Sequence, residues 1–96
     1  MDIKKEMNTS KVTLSLKGWL DTQTAPALKA ELDSLESNIT ELEINCAELE
    51  YISSAGIRQL VAAHTKMNGN LALSNVSAEV MSVLKMTGIN NVLKIK

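Results

Sequence analysis

Phenylalanine is absent from this 96-residue sequence, and aromatic residues make up only 2% of it. A hydrophobic core must therefore be built from aliphatic side chains and methionine. The same scarcity removes the stacking platform that most proteins binding single-stranded nucleic acid use. The formal net charge is −1, and apart from the pair Lys4-Lys5 the basic residues are scattered. Because no cationic stripe can meet a phosphate backbone, we expect neither nucleic acid nor an anionic membrane surface as a partner.

Metal-ligating and disulfide-forming residues are equally scarce. Cys46 is the only cysteine and His64 the only histidine. A disulfide within the chain is impossible, which fits a reducing compartment, and we expect no metal site and no cofactor. The N-terminus lacks a signal-peptide-like apolar stretch, and no hydrophobic run approaches the length of a membrane span. We therefore expect one cytoplasmic domain over residues 1–96, without direct membrane insertion.

Strand-like and helix-like hydrophobic patterns alternate along the chain. Apolar residues recur at every second position from Val12 to Leu16 and from Leu42 to Cys46, which predicts two strands that each bury one face. The first of these alternations is broken at Gly18-Trp19. Shorter strands are predicted at three further places: Ile3–Met7, Leu71–Leu73 and Val92–Ile95.

Helical spacing separates these strands. A first helix is predicted from Thr24 as N-cap with Pro26 in its first turn, and its apolar stripe ends at Leu35. A second helix runs from Ser54 to about Met67, and a third is capped by Ser77 and ends at Thr87-Gly88. The order β-β-α-β-α-β-α-β predicts an α/β fold with a mixed, mostly parallel sheet.

The serine pair Ser53-Ser54 lies where the second long strand pattern ends and the second helix begins. Free backbone N–H groups and the helix dipole favour negative charge at such a position. A serine there can cap the helix, accept a phosphate, or do both in turn. The segment therefore predicts a regulatory switch, and the residues alone leave open which of the two serines carries it.

Enzyme activity has little support in the sequence. A nucleophilic serine needs a nearby base and an orienting acid, but His64 follows Ser54 by ten residues on the same helix, about 15 Å along its axis. The flanking glycines of a nucleophile elbow are also missing. We therefore interpret His64 as a half-buried helix residue at the edge of the core, and we expect no catalytic residues.

Other reactive or bulky residues are first interpreted as structural. Cys46 is expected to be a small buried side chain, and the methionines Met67, Met81 and Met86 are expected to fill gaps in a core without Phe. Glu41 and Glu43 are expected on a solvated strand face, whereas Glu48 and Glu50 lie closer to the serines. Trp19, predicted in a loop, either covers one end of the core or contacts a partner.

Two segments resemble a known family. Tyr51-Ile52-Ser53-Ser54-Ala55-Gly56-Ile57-Arg58-Gln59-Leu60 resembles the signature of the STAS domain family, which includes bacterial anti-sigma-factor antagonists. The block from Gly18 to Pro26 is similar to the family's Gly-x-Leu-Asp turn, which leads into a helix. The spacing between the blocks and the order of elements match over almost the whole chain.

The resemblance implies a phosphorylation switch. In that family the serine matching Ser54 is phosphorylated by a partner that is both anti-sigma factor and kinase, which ends binding, and a PP2C-type phosphatase restores it. Ser53 stands where the family often has Asp, and Ala55 replaces a second hydroxyl. This departure makes Ser53 a competing acceptor and removes one negative charge beside Ser54, so we expect kinase recognition to differ.

Two functions are compatible with this resemblance. The first is an anti-sigma-factor antagonist that binds its kinase partner when unphosphorylated. The second is an adaptor STAS subunit of a membrane transport or other signalling complex, which would bind without phosphorylation. In either case the partner-binding surface is expected to comprise Trp19, Asp21, Ser53, Ser54, Ala55, Gly56 and Arg58.

Overall fold

The computed structural model describes all 96 residues. Five strands are present: β1 (Asp2–Asn8), β2 (Lys11–Leu20), β3 (Glu41–Ile52), β4 (Leu71–Ser74) and β5 (Lys94–Ile95). Three α-helices lie between them, α1 (Ala25–Asp33), α2 (Ser54–Lys66) and α3 (Ala78–Met86), and a short 3₁₀ helix (Ile89–Asn91) precedes β5. The predicted order of strands and α-helices is confirmed, and the 3₁₀ helix is an addition to it.

The five strands form one mixed sheet in the order β1-β2-β3-β4-β5. β1 pairs with β2 in antiparallel orientation, and the remaining neighbours are parallel. Because the parallel strands follow chain order, right-handed connections place all three α-helices on the same face of the sheet. The other face carries mainly polar side chains. The carboxyl ends of β2 and β3 therefore meet at one end of the sheet, beside the start of α2.

The core lies between the sheet and this helical layer. The alternating side chains of β2 and β3 point into it, and neither of the two aromatic residues is among the buried core residues. Cys46 is 1% exposed, and burial raises the pKa of its thiol to about 12. The prediction of an aliphatic core in which Cys46 acts as a small apolar side chain is confirmed.

The two long strands extend further than the sequence pattern predicted. β2 continues through Trp19 to Leu20, and β3 continues past Cys46 to Ile52. Two irregularities in the β2–β3 register, the second at Gly18, reset which residues face the core. Gly18 has φ +102°, a conformation that a side chain would strain. The prediction that Trp19 lies in a loop is therefore wrong.

The C-terminal segment also differs from the prediction. Val92 was expected in the last strand, but it follows the 3₁₀ helix and is 51% exposed. Its N–H donates a hydrogen bond to the carbonyl of Ile89, at the start of that helix. Met86 is 84% exposed at the end of α3 and fills no gap, whereas Met67 is buried as expected. α1 ends at Asp33, so Leu35 packs against the core from the loop that follows.

Glu43 lies on the polar face of the sheet, but it is not the solvated residue that its alternation predicted. Its side chain is 19% exposed. One carboxylate oxygen accepts a hydrogen bond from Lys96 Nζ (2.9 Å) and lies 3.2 Å from Lys11 Nζ, while the other accepts from Ser74 Oγ at 2.8 Å. These bonds, that from Lys96 foremost, lower the pKa of Glu43 to about 2. The carboxylate of Glu43 in β3 thus binds residues of β2, β4 and the C-terminal lysine that follows β5.

This cluster predicts an acid-sensitive contribution to stability. The pKa of Glu43 is about 2 in the folded chain against an ordinary 4.5, so its contribution is complete above pH 4.5 and is lost as the pH falls towards 2. Glu43→Gln removes the charge that binds the two lysines and is expected to lower the free energy of unfolding at neutral pH by about 1–2 kcal/mol. The loss is no larger because solvent screens the exposed lysines. Urea unfolding followed by circular dichroism at several pH values measures both effects.

Glu41→Gln is the matched control, since Glu41 is exposed on the same strand and forms no ion pair. Its free energy of unfolding is expected to follow that of the wild type at every pH. If the Glu43→Gln variant lost stability between pH 4.5 and 2 as steeply as the wild type, the cluster would not be the source of the acid sensitivity.

Candidate functional site

Two turns meet at the carboxyl ends of β2 and β3. The turn after β2 leads into α1, and the turn after β3 leads into α2 at Ser53. A backbone hydrogen bond joins them, because the N–H of Ser53 donates to the carbonyl of Leu20 at 2.9 Å. The segments carrying the two recognisable sequence blocks are therefore held side by side, although Leu20 and Ser53 are more than thirty positions apart in the chain.

Gly56 allows α2 to approach the end of β2 closely. A Cβ atom at this position would lie 2.7 Å from Leu20 Cγ and 2.9 Å from the carbonyl oxygen of Leu20. Backbone oxygen cannot move aside as a flexible side chain can, so any side chain here would push the helix away. Gly56 is buried, and its part is to set the position of the first turn of α2 rather than to offer a contact surface.

Ser53 is the N-cap of α2. Its backbone is extended (φ −100°, ψ 175°), and its hydroxyl accepts a hydrogen bond from the N–H of Gly56 at 3.4 Å. The carbonyl of Ser53 accepts the first helical bond, from Ile57, at 2.9 Å. The half-buried hydroxyl of Ser53 therefore satisfies one of the free donors at the helix start.

Ser54 is the first residue of α2 and differs from its neighbour. Its side chain is exposed, and its hydroxyl forms no hydrogen bond within the chain. The sequence left open which serine is the cap and which is available. The structure separates the two roles, since Ser53 caps the helix and Ser54 presents a free hydroxyl to solvent.

Asp21 and Thr24 organise the neighbouring turn in a way that corrects the sequence prediction. Thr24 precedes α1 as expected, but its side chain makes no cap bond to the helix. Instead the Asp21 carboxylate accepts from the N–H groups of Gln23 (3.0 Å) and Thr24 (3.1 Å). The Thr24 hydroxyl accepts from the Asp21 N–H at 2.8 Å and donates to the carbonyl of Trp19 at 2.7 Å. Asp21 is thus the residue that caps this turn.

Trp19 and Tyr51 form an exposed aromatic pair beside the serines. They are cross-strand partners in β2 and β3, with ring centroids 5.7 Å apart and planes tilted by 56°. Trp19 is 59% exposed and Tyr51 46% exposed. Trp19 therefore does not cover the core. Sequence reasoning passed over Tyr51, because its pairing with Trp19 depends on the register between β2 and β3, which local pattern does not give.

Arg58 lies one helical turn after Ser54 on the exposed side of α2. It is exposed and forms no salt bridge in this structure. Residues four apart on a helix are neighbours on its surface, so the guanidinium is within side-chain reach of the Ser54 position. Ala55, between the two, is half-buried against the core.

All seven residues of the predicted binding surface lie at this end of the sheet, but they differ in accessibility. Trp19, Ser54 and Arg58 are exposed, while Asp21, Ser53 and Ala55 are half-buried. His64 is half-buried in the last turn of α2, at the opposite end of that helix from Ser54.

None of the helices combines the length and the hydropathy that a membrane-spanning helix needs.

A family model described as "Mlab, STAS domain" matches residues 3–94. The chain belongs to the STAS domain family. It is similar to a protein of Bacillus subtilis named anti-sigma-B factor antagonist, with 26% identity over 98 residues that cover 99% of this chain and 88% of that protein. The Listeria monocytogenes protein of the same name is 27% identical and is matched over 84% of its length.

Solved structures share the fold at lower identity. The anti-sigma factor antagonist SpoIIAA in its unphosphorylated form superposes with a TM-score of 0.77 and 18% identity, over 99% of this chain and 87% of that one. Its phosphorylated form, described as a Bacillus cell fate determinant, superposes with a TM-score of 0.76 and 19% identity, over 99% of this chain and 91% of that one. A sulfate transporter family protein from Wolinella succinogenes superposes with a TM-score of 0.78 and 21% identity, over 95% of this chain and 80% of that one. The fold alone therefore does not separate a regulator from a transporter family protein.

The close approach at Gly56 predicts the sign of a stability change. In most helices Gly→Ala is stabilising by up to about 1 kcal/mol because of helix propensity. Gly56→Ala is expected instead to destabilise by about 1–3 kcal/mol, because the added methyl group overlaps Leu20. Denaturant unfolding measures the difference, with Ala62→Gly, at an exposed position of the same helix, as the control for propensity alone. A Gly56→Ala variant more stable than the wild type would contradict the packing argument.

The different environments of the two serines predict unequal effects of alanine. Ser53→Ala is expected to lower the free energy of unfolding by about 1 kcal/mol through loss of the cap. Ser54→Ala is expected to change it by less than about 0.5 kcal/mol, since that hydroxyl has no partner. Thermal and urea unfolding of both variants give the comparison. Equal losses for the two variants would mean that both hydroxyls support the helix.

Proposed function

We propose that this chain is an anti-sigma-factor antagonist that binds an anti-sigma factor with serine kinase activity and is released by phosphorylation at Ser54. The observation that carries the proposal is the free, exposed hydroxyl at the first position of α2, bordered by Trp19 and Arg58. The names of the Bacillus and Listeria relatives support the regulatory role, and a phosphorylated form of SpoIIAA supports the modification.

The fold is expected to tolerate a phosphate on Ser54. Ser54 is exposed, so the group can stay hydrated, and about 1.5–2 added negative charges at a helix N-terminus are favourable by about 0.3–1 kcal/mol. The capping bond of Ser53 and the backbone bond to Leu20 do not involve the Ser54 side chain. Phosphorylation can therefore change the surface without breaking the contacts that hold α2 in place.

At a protein interface the same charge acts in the opposite direction. A phosphate covered by a partner must be desolvated or paired, and an unpaired buried charge costs several kcal/mol. Each 1.4 kcal/mol changes affinity tenfold. The interface term exceeds the small gain at the helix terminus, so binding should be lost while the fold remains.

Arg58 gives the switch a second component. A negative group at Ser54 would be four residues before a positive one, which is the favourable orientation for an ion pair on a helix. The guanidinium is also suited to phosphate oxygens. In the unmodified chain Arg58 is free to contact a partner, whereas a phosphate on Ser54 would compete for it.

The proposed role is binding rather than catalysis. His64 lies at the far end of α2, and no acid–base pair adjoins the Ser54 hydroxyl. The partners of the switch are then the kinase that modifies Ser54 and a PP2C-type phosphatase that restores it, both acting in the cytoplasm. Ser53 is the less suitable acceptor, because its hydroxyl is half-buried and caps the helix.

A constitutive adaptor role is the second candidate. The description "Mlab" of the matching family model and the shared fold of a sulfate transporter family protein favour considering it. An adaptor would use the same exposed pair of Trp19 and Tyr51 for docking, but its binding would not depend on the state of Ser54.

Binding experiments with charge variants separate the two functions. Wild type, Ser54→Ala, Ser54→Asp and Ser53→Asp serve as baits in native lysate, with bound proteins identified by mass spectrometry. Wild type and Ser54→Ala are expected to retain a kinase-like ATPase, and Ser54→Asp is expected to lose it with an affinity at least about a hundredfold lower, because the carboxylate is placed in the interface.

Ser53→Asp is the matched control, because it adds the same charge one residue away, where Asp remains a good helix cap. It should retain the partner that Ser54→Asp loses, because the Ser53 side chain is half-buried at the helix start. Trp19→Ala should weaken binding to all forms without changing the melting temperature, since the indole lies on the surface. Recovery of one partner by all four baits would refute the switch and favour the adaptor.

A further inference from the structure

β1 is a long edge strand at one side of the sheet. Its seven residues pair with β2 on one side only, so the backbone groups on its outer side have no strand partner. The opposite edge is β5, which has only two residues and is too short to act as a template. A free edge of this length is a pairing site for another strand unless something prevents it.

A charge lies on the apolar side of this edge. Residues opposite one another in an antiparallel pair share a face of the sheet, and Lys5 is opposite Leu14, which is fully buried on the core face. Its neighbours on that face are apolar, since Ile3 packs against the core and Met7 is 54% exposed. Lys5 is therefore the only charged residue on the core face of β1.

The sequence of β1 is self-complementary when two copies are antiparallel about Lys5. In that register Lys4 lies opposite Glu6 of the second copy on the polar face, and Ile3 lies opposite Met7 on the apolar face. The helical layers of both copies then lie on the same side of one continuous sheet. The single unfavourable pair is Lys5 against Lys5, because like charges directly opposite destabilise a strand pair.

Other registers pair fewer of the seven residues of β1, and the one centred on Ile3, which brings Asp2 opposite Lys4 twice, pairs only three strand residues of each copy. A register centred on Lys4 places Asp2 opposite Glu6 twice. Registers centred between two residues place the helical layers on opposite sides, so that Ile3 and Met7 meet the polar face of the partner. The pattern therefore favours the register about Lys5, and the lysine is at its centre.

We propose that Lys5 prevents the β1 edge from pairing with that of a second copy of this chain, so that the homodimer interface for which the strand is otherwise complementary does not form. The interface is distinct from the end of the sheet that carries Ser54, so the proposal is independent of the proposed function. Removing the charge of Lys5, or placing an opposite charge at the same position of the second copy, should allow the two β1 strands to pair.

The test is the oligomeric state, measured by sedimentation velocity over a wide concentration range. The wild type is expected to be monomeric, and Lys5→Val is expected to dimerise with an affinity at least about tenfold higher. Lys4→Val is the matched control, since it removes the neighbouring charge on the other face and leaves the lysine pair in place. It should remain monomeric.

A charge-swap mixture tests the same register with soluble variants. Lys5→Glu alone should be monomeric, because two glutamates then oppose each other, whereas an equal mixture of Lys5→Glu and wild type should form a heterodimer. A dimeric wild type, a monomeric Lys5→Val, dimerisation of Lys4→Val to the same extent, or a mixture that stays monomeric would each overturn the proposal. If Lys5→Val aggregates, the mixture alone decides.

Discussion

The close contact between the first turn of α2 and the end of β2 is the constraint on which the candidate site depends. Gly56 lets the helix lie against Leu20 at a distance that no side chain would permit, and the Ser53 N–H bond to the Leu20 carbonyl fixes the same two segments through the backbone. The turn at Asp21 is in turn held by its own capping bonds. Trp19, Ser54 and Arg58 are presented together because these structural contacts lie beneath them.

One of the two adjacent serines caps the helix and the other presents a free hydroxyl, which explains how such a site could be modified without loss of the fold. Ser53 satisfies the helix start, and its half-buried hydroxyl takes part in the structure. The Ser54 hydroxyl, one residue further along the helix, forms no bond within the chain. A change of charge at Ser54 therefore acts on what the surface can bind, whereas a change at Ser53 acts first on stability.

The uncovered face of the sheet is stabilised by a different kind of interaction from the covered face. Burial of aliphatic side chains holds the helical layer on the sheet, while on the polar face Glu43 accepts bonds from residues on β4 and at the C-terminus. These bonds help to anchor β5, which contributes only two residues to the sheet. Such a cluster keeps a short edge strand in place where little apolar surface is available.

Several features of the fold and the site could be predicted from local pattern alone. The alternation of strands and helices, the helix start at Ser54, the Ser77 cap and the aliphatic character of the core all depend on neighbouring residues in the chain. The errors fell where distant segments meet. Trp19 remains in β2 because the register shifts after Gly18, where β3 has one extra residue, and Trp19 then pairs with Tyr51. Val92 leaves the last strand because a 3₁₀ helix precedes it.

The sequence by itself determined the family, the order of elements and the position of two hydroxyls at a helix start, because periodicity, caps and family motifs are properties of contiguous residues. Only the tertiary structure decided that Ser53 is the cap and Ser54 the free hydroxyl, that Trp19 lies beside Tyr51, and that Glu43 is bound by Lys11 and Lys96. Each of these depends on the register between parallel strands, which brings together residues that no local pattern relates.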